Sequence, residues 1–407
     1  MPASSETTVT SETLPDAGLH PGAPEYSKAI IALIAAGLAS FNAMYATQAL
    51  LPALTEQLHV SPASASLTVS AVTGMLAAAI IPASILSERF GRGRVMIISA
   101  VVATLIGVAL SASPTIEVLV AGRAIQGVFV AGVPAVAMAW LAEEMSAESL
   151  PAAMGKYVAG TTIGGLLGRL VPAGMLELGS WRWALLATAL LALVFAIIFA
   201  VLLPHQRNFE PKTITLRSEL AALAAHWRDR QIAGLYILAF LLMGVFVSLY
   251  NYLGFRLRSD FGFSEAAVGL VFLIYLVGTW TSARAGTFAS RVGRTAVVGV
   301  GITAAAAGLL LTLSSHLLLV LLGMAVMTGG FFAAHSTASG WVGALAKSNR
   351  AEASSTYLFC YYLGSSALGY LSGLVFHHTS WGGLILALLA LLALAGVTLF
   401  GLVRGRR

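Results

Sequence analysis

Polar side chains that could bind a small molecule or carry a proton lie inside long apolar stretches of this sequence. Arg123 and Gln126 share one stretch, and His335 is the one imidazole within any of them. An imidazole titrates near neutral pH and suits proton transfer, while an arginine offers a planar fork of N–H donors. The remaining polar residues are amides and phenols, which together suit a cavity for a polar or amphipathic small molecule: Asn42, Tyr45, Gln48, Asn251, Tyr357 and Tyr361.

Each of these residues also has a purely structural interpretation. A buried polar group needs a partner, so the amides and phenols could simply hold helices together. Arg123 could extend its side chain to the nearer membrane surface, and His335 could be a neutral histidine bonded to a neighbouring helix. Aromatic side chains also attract cations, so the residue types do not identify a substrate.

Membrane-spanning helices must position these residues. Of 407 residues, 58% are hydrophobic and only 10% are charged, whereas soluble domains are about 25% charged; the mean hydropathy is +0.87. This composition argues against a soluble enzyme, and a single cysteine excludes a disulfide framework or a cysteine metal cluster. At about 20 residues per span, we predict an all-α integral membrane protein with twelve transmembrane helices: 28–52, 64–86, 95–113, 118–142, 151–175, 182–203, 232–255, 264–284, 295–313, 317–342, 352–376 and 382–403.

The basic residues are distributed unevenly between the two sides of this predicted bundle. Eighteen of the 23 Lys and Arg fall on the side that holds both termini, three fall on the other side, and two lie inside spans. Loops rich in Lys and Arg stay in the cytoplasm. We therefore expect both termini to be cytoplasmic, and we attribute the high pI to this bias rather than to nucleic-acid binding.

Three landmarks recur at nearly one offset along the chain. Trp140 and Trp341 are 201 residues apart, the Gly-Arg pairs that begin at 91 and 293 are 202 apart, and the Trp residues at 181 and 381 are 200 apart. We infer two pseudo-symmetric six-helix bundles, 28–203 and 232–403. Such repeats are typical of secondary transporters, whose substrate site lies between the halves.

Polar segments flank and divide these bundles. Residues 1–27 lack the pattern of a signal peptide, and we expect a disordered cytoplasmic tail there. Residues 204–231 form a cytoplasmic linker whose apolar residues recur at helical spacing, which predicts an amphipathic helix at the membrane surface. Residues 404–407 form a short basic tail.

A short basic turn follows the second span. Its residues are Glu88, Arg89, Gly91 and Arg92. A carboxylate there can pair with an arginine or face a helix N-terminus, and a bond of this kind could act as a conformational latch as the halves rock. A plain positively charged loop is the alternative. The corresponding turn of the second half repeats the pattern with serine in place of the acid: Ser290, Arg291, Gly293 and Arg294.

The fifth span carries glycines at a spacing of four: Gly160, Gly164 and Gly168. Residues four apart share one face of a helix, so these glycines form a smooth ridge that lets a second helix approach closely. Ordinary packing of small residues explains the ridge as well as a transport motif does.

Taken in order, the motifs resemble those of the major facilitator superfamily. The basic turn resembles the family's loop pattern G-x-L-a-D-r-x-G-r-k, with Glu88 for the Asp, and the fourth span resembles R-x-x-q-G at Arg123 and Gln126. The glycine ridge resembles the antiporter motif G-P-x-x-G-G, with Thr161 for the Pro. The likeness covers nearly all of residues 28–403 and extends to bacterial inner-membrane transporters of the YnfM type, near the arabinose-efflux and drug:proton antiporter branches.

This resemblance implies alternating access in the cell inner membrane and export of a small molecule coupled to proton entry, with no cofactor. No Asp or Glu lies deep in a span, so His335 is the candidate proton carrier and Glu117 the alternative. A facilitator or importer of a sugar or other polar metabolite remains open, and a membrane-embedded enzyme or sensor is the distant alternative. We expect a monomer in the lipid bilayer without enzyme activity or a metal site.

Overall fold

The computed structural model describes residues 18–209, 221, 224–346 and 349–404. These residues are almost entirely helical, and they contain no strand beyond an isolated bridge between Leu19 and Met145. The first half contains α1 (Pro24–Tyr45), α2 (Leu51–Leu58), α3 (Pro62–Phe90), α4 (Arg92–Leu110), α5 (Ile116–Val130), α6 (Ala137–Glu144), α7 (Leu150–Leu176) and α8 (Trp181–Leu202). The second half contains α9 (Arg230–Phe261), α10 (Glu265–Val271), α11 (Tyr275–Val292), α12 (Arg294–Leu311), α13 (Leu317–Leu345), α14 (Arg350–His378) and α15 (Trp381–Arg404).

Ten helical segments of the described chain are long and apolar enough to cross a membrane. They match every predicted span except the fourth and the fifth. The fourth is divided, because α5 ends at Val130 and α6 begins only at Ala137. The fifth, α7, is 27 residues long but contains Lys156 and Arg169, which lower its hydropathy. The architecture is the predicted all-α membrane fold of two helical bundles.

The first span, predicted over 28–52, lies within the membrane-crossing segment Pro24–Leu58, but it is interrupted. α1 ends at Tyr45, a 3₁₀ turn covers Gln48–Leu50, and α2 starts at Leu51. Pro52 occupies the first turn of α2, where a missing N–H costs nothing because that donor has no helical partner. The interruption leaves the last carbonyls of α1 free to accept hydrogen bonds from side chains.

The two halves share a turn geometry. Gly91 joins α3 to α4 with φ 96°, and Gly293 joins α11 to α12 with φ 89°. Both values lie in the region that only glycine adopts readily. This common conformation is what the 202-residue offset between the two turns predicts.

The N-terminal segment is ordered from residue 18, which corrects the prediction of disorder for 18–27. The backbone N–H of Leu19 donates to the Glu144 carbonyl at 2.7 Å, and Ser146 N–H donates to the Leu19 carbonyl at 3.1 Å. α1 then begins at Pro24, four residues earlier than the predicted span. The remaining part of that tail, 1–17, lies outside the described residues.

Much of the predicted amphipathic helix in the linker, 210–220 and 222–223, also lies outside the described residues. Residues 224–228 are helical. The segment just after α8 packs on the first half: the carboxylate of Glu144 accepts from the backbone N–H groups of Arg207 and Asn208, each at 3.1 Å.

The two ends of the molecule differ in charge. We call the end that holds Lys28, the α3–α4 and α11–α12 turns and the C-terminus of α15 the basic face, and the other end the opposite face. α7 runs from the basic face to the opposite face, whereas α11 runs the other way. Close helix pairs organise each half, with α1 against α7 in the first and α9 against α14 in the second. α3 and α14 pack together between the halves.

Candidate functional site

A cavity of about 390 Å³ lies between the two halves. Its lining comes from α1, α7, α9, α11, α13 and α14. On α7 the lining runs from Val158 to Arg169, and on α13 it ends at Ser339, near the basic face. The cavity therefore opens toward the basic face and ends near the middle of the molecule. Aromatic and hydroxyl side chains dominate its wall: Phe41, Tyr45, Phe246, Tyr275, Phe332 and Tyr361, with Thr161, Thr162, Thr279, Ser282, Ser336 and Ser339.

Arg169 lies at the closed end of this cavity. Its Nε donates to the Gln48 side-chain oxygen at 2.7 Å, and its Nη atoms donate to the Gly165 carbonyl at 2.6 Å and the Tyr275 hydroxyl at 3.3 Å. The guanidinium carbon lies 3.7 Å from the ring centre of Tyr45 and 4.5 Å from that of Tyr275. Tyr45 belongs to the first half and Tyr275 to the second, so Arg169 contacts both halves at once.

Between Arg169 and the opposite face, direct contacts between the two halves close the cavity. Gln48 donates to the Asn251 side-chain oxygen at 2.7 Å. Nearer the opposite face, Arg258 pairs with Glu56 across the halves at 2.9 Å.

Glu177 adds a further contact at the opposite face. Its carboxylate accepts from the Ala266 backbone N–H at 2.9 Å. This bond, together with one from the Ser264 hydroxyl, lowers the pKa of the Glu177 carboxyl. These contacts, with the open mouth at the basic face, define one of the two states that alternating access requires.

His335 lines the cavity on α13. Its Nδ1 lies 3.0 Å from the Tyr357 hydroxyl, and its ring lies 4.5 Å from that of Tyr361. Tyr357 itself is buried, and its hydroxyl also lies 3.2 Å from the His335 carbonyl oxygen. The imidazole is therefore held by one polar partner and remains in contact with the cavity.

Arg123 lies away from the cavity, and so does Gln126, which corrects the expectation that this pair lines it. Arg123 is completely buried within the first half and donates to the carbonyls of Thr68, Ala43 and Met44. It also donates to the Gln126 side-chain oxygen at 2.6 Å. Ala43 and Met44 belong to the last turn of α1, where carbonyls lack helical partners and carry partial negative charge. Arg123 therefore stabilises the interruption of the first span, and it does not extend to the surface either.

Asn42 and Glu117 also lie apart from the cavity. Asn42 is fully buried where α1 meets α7, with its backbone 2.6 Å from the position a Cβ on Gly168 would take. Glu117 is exposed in the first turn of α5, at the opposite face. Its position does not suit a proton carrier that must reach the cavity, because α5 contributes no residue to the lining.

The basic turn of the first half is held by a three-residue ion cluster. Arg92 donates to Glu88 at 2.7 Å and to Glu143, at the end of α6, at 2.6 Å. All three residues belong to the first half, so the cluster does not bridge the halves, and it is formed while the cavity is open at this face. The predicted latch is thus a bond within one half. In the second copy Arg291, Gly293 and Arg294 are exposed, and the Ser290 hydroxyl donates to the Thr287 carbonyl at 2.8 Å.

The glycine ridge of α7 lies against the backbone of α1. A Cβ on Gly160, Gly164 or Gly168 would come within 2.6–2.7 Å of backbone atoms there. α1 and α7 therefore touch backbone to backbone, and this contact holds Tyr45 of α1 beside Arg169 of α7.

Sequence reasoning missed Arg169 as a site residue. In the sequence, Arg169 and Arg123 are the two arginines that lie inside predicted spans rather than at their ends. A signal was present, because Arg169 directly follows Gly168 at the end of the glycine ridge, and a charged residue inside a span is costly unless it serves a function.

Comparisons with known proteins agree with this architecture. Residues 32–283 match the model of the Major Facilitator Superfamily. The chain is 39% identical over 393 residues to the inner membrane transport protein YnfM of Escherichia coli K12, covering 96% of this chain and 94% of that protein. It is 37% identical over 368 residues to the MFS-type transporter YybF of Bacillus subtilis, covering 90% and 91%.

Solved structures resemble it in fold. A bacterial homologue of the human lysosomal transporter Spinster, in an inward-facing and unoccupied conformation, matches with a TM-score of 0.78 at 15% identity over 94% of this chain and 97% of that one. A mutant of the nucleoside transporter NupG matches with a TM-score of 0.77 at 17% identity over 92% and 99%.

Proposed function

This chain belongs to the major facilitator superfamily, and on that basis we propose that it exports small molecules across the cell inner membrane in exchange for protons. The superfamily makes it a membrane transporter rather than an enzyme. The observation that carries the proposal is the cavity of about 390 Å³ between the halves, open at one face and closed at the other. Its volume lies in the range of small-molecule sites.

The charge bias supports a cytoplasmic location for the basic face. Cytoplasmic loops retain Lys and Arg, and the basic face holds most of them. With this orientation both termini are cytoplasmic and the cavity is open to the cytoplasm, the side from which an exporter loads. Because the cavity lies within one chain, a monomer is sufficient for transport.

Proton exchange is assigned to His335. Among the described residues that line the cavity, none is Asp or Glu, and His335 is the side chain whose unperturbed pKa lies near neutral pH. It touches both the cavity and Tyr357, so the proton state of its ring is coupled to α14. The antiporter-like glycine ridge supports exchange rather than passive diffusion.

The test uses inside-out membrane vesicles that hold an acid interior, monitored with a pH-sensitive dye. Aromatic acids, cationic dyes and sugars are added one at a time. An exported substrate should enter the vesicles while protons leave, so the gradient should fall faster than in vesicles without the protein. His335→Asn should remove this effect, and Ser290→Ala, at the exposed second turn, should keep it. Uptake of a substrate that ignores the gradient would refute exchange and identify a facilitator.

A further inference from the structure

We propose that the transported molecule is an organic monoanion whose carboxylate binds Arg169. This inference rests on the proposed function, because it treats the cavity as the transport site. It concerns the substrate class, which neither the fold nor the relatives identify.

The buried arginines of the described chain differ in their partners. Four arginines of the described chain are buried: Arg92, Arg123, Arg169 and Arg256. Arg92 pairs with two carboxylates, and Arg256 pairs with Asp260 at 3.1 Å. A buried cation needs such compensation, because removing it from water is costly.

Arg123 shows how a protein compensates a buried arginine without a carboxylate. It is sealed within the first half, and its donors meet three backbone carbonyls, two of them from the last turn of α1, together with the Gln126 side chain. It does not line the cavity between the halves.

Arg169 differs from both patterns. No described carboxylate pairs with it, and its acceptors are one amide oxygen, one carbonyl and one hydroxyl. These bonds use three of the five guanidinium N–H groups, which leaves one on each terminal nitrogen. Arg169 also lines the cavity, and among the described residues of the lining it alone carries a permanent charge. A positive charge at the closed end of an otherwise neutral cavity selects an anion.

The two remaining N–H groups and the rest of the wall define the ligand further. A planar guanidinium binds a carboxylate through two parallel bonds. Tyr45 and Tyr275 hold the guanidinium plane between their rings. From this point toward the mouth, Phe246, Phe332 and other aromatic side chains line the wall, so they would contact an apolar or aromatic body attached to the acid.

Cys360 provides a binding assay that needs no transport. It is the sole cysteine of the chain and is buried on α14, so a thiol-reactive dye reports unfolding when the purified protein is heated. A ligand that binds the folded state raises the unfolding temperature. We choose benzoate, 2-naphthoate and 4-phenylbutyrate, each with its neutral amide and its cationic amine of the same carbon skeleton.

We expect the wild-type protein to be stabilised by at least one acid and not by the matching amide or amine. Arg169→Gln should weaken binding of that acid by about tenfold or more, because it removes a charge-assisted bond, and Arg169→Lys should weaken it less. Arg284→Gln removes an exposed arginine from α11 and should leave binding unchanged.

Equal stabilisation by acid and amide, or by none of the acids, would overturn the proposal. If Arg169→Gln does not fold, the wild-type protein alone tests the proposal, through the rise in unfolding temperature that the acid, the amide and the amine each cause. The binding assay uses no proton gradient, so anion selectivity can be confirmed even if proton exchange fails. Transport of a cation in vesicles would instead refute the proposal of an anionic substrate and leave the proposed transport function standing.

Discussion

Adding one methyl group to Gly164 should separate α1 from α7. A Cβ at this position would lie 2.7 Å from both the Cα and the carbonyl oxygen of Leu38. Both atoms are backbone, so neither can rotate away, and the helices must move apart. Gly174 lies on the same helix, and a Cβ there would meet nothing within 4 Å. Comparing Gly164→Ala with Gly174→Ala therefore measures the effect of the contact between α1 and α7 alone.

The expected magnitude follows from this pairing. Replacing Gly by Ala inside a helix stabilises it by about 1 kcal/mol, and this gain is common to both variants. Overpacking at a tight contact costs about 1–3 kcal/mol, and only Gly164→Ala incurs it. The two variants should therefore differ by about 1–3 kcal/mol, or about 2–12 °C in Tm at 2–4 °C per kcal/mol for a unit of 150–250 residues.

Heating the purified protein while following tryptophan fluorescence measures this difference, because Trp140 and Trp181 are fully buried in the first half. Gly155→Ala serves as a second control, since its Cβ would also meet nothing within 4 Å. Equal melting temperatures for Gly164→Ala and both controls would refute the backbone contact between α1 and α7.

Three further outcomes are expected. Arg123→Ala leaves several buried carbonyls without a donor at about 1–3 kcal/mol each, so the yield of folded protein should fall; a normally folded variant that fails to transport would instead give Arg123 a direct role. Glu177 has a lowered pKa, so its contribution to closing the opposite face should be present above the usual carboxyl pKa of about 4.3 and be lost as pH falls further; spin-label distances across that face should show opening in acid, and Glu177→Gln should abolish this pH dependence. Glu88→Gln removes one of the two carboxylate partners of Arg92 and should lower Tm slightly without changing the anion selectivity, and an altered selectivity would contradict the placement of this cluster.

The all-α membrane fold could be predicted from the sequence, because span length and turn glycines are local signals. Gly91 and Gly293 marked the ends of helices that the structure indeed joins there. The interruption of the first span was not predicted, although Pro52 stood at the start of α2. Arg123 stabilises it through the Ala43 and Met44 carbonyls, which lie about 80 residues away along the chain.

The two arginines inside spans show why the site was only partly predictable. Arg123 and Arg169 are the same residue type in similarly apolar surroundings, and family likeness favoured Arg123. Their roles depend on what faces them: the end of α1 for Arg123, and the space between the halves for Arg169. Contacts between the halves, such as the hydrogen bond from Gln48 to Asn251, join residues that are 203 positions apart. Spacing in the sequence does not predict such pairs.

Among the described residues that line the cavity, Arg169 alone carries a permanent charge, and we expect this charge to make transport sensitive to the membrane potential. An arginine stays protonated at physiological pH, so the empty cavity carries one positive charge, while a cavity that holds a monoanion is neutral. Moving one charge through the whole field is worth about 2.3 kcal/mol per 100 mV, and a partial displacement is worth proportionately less. With the cytoplasm negative, the potential acts on the return of the carrier, which under the proposed exchange holds a proton on His335 besides the charge of Arg169, and export of an anion against a proton would carry current in every cycle.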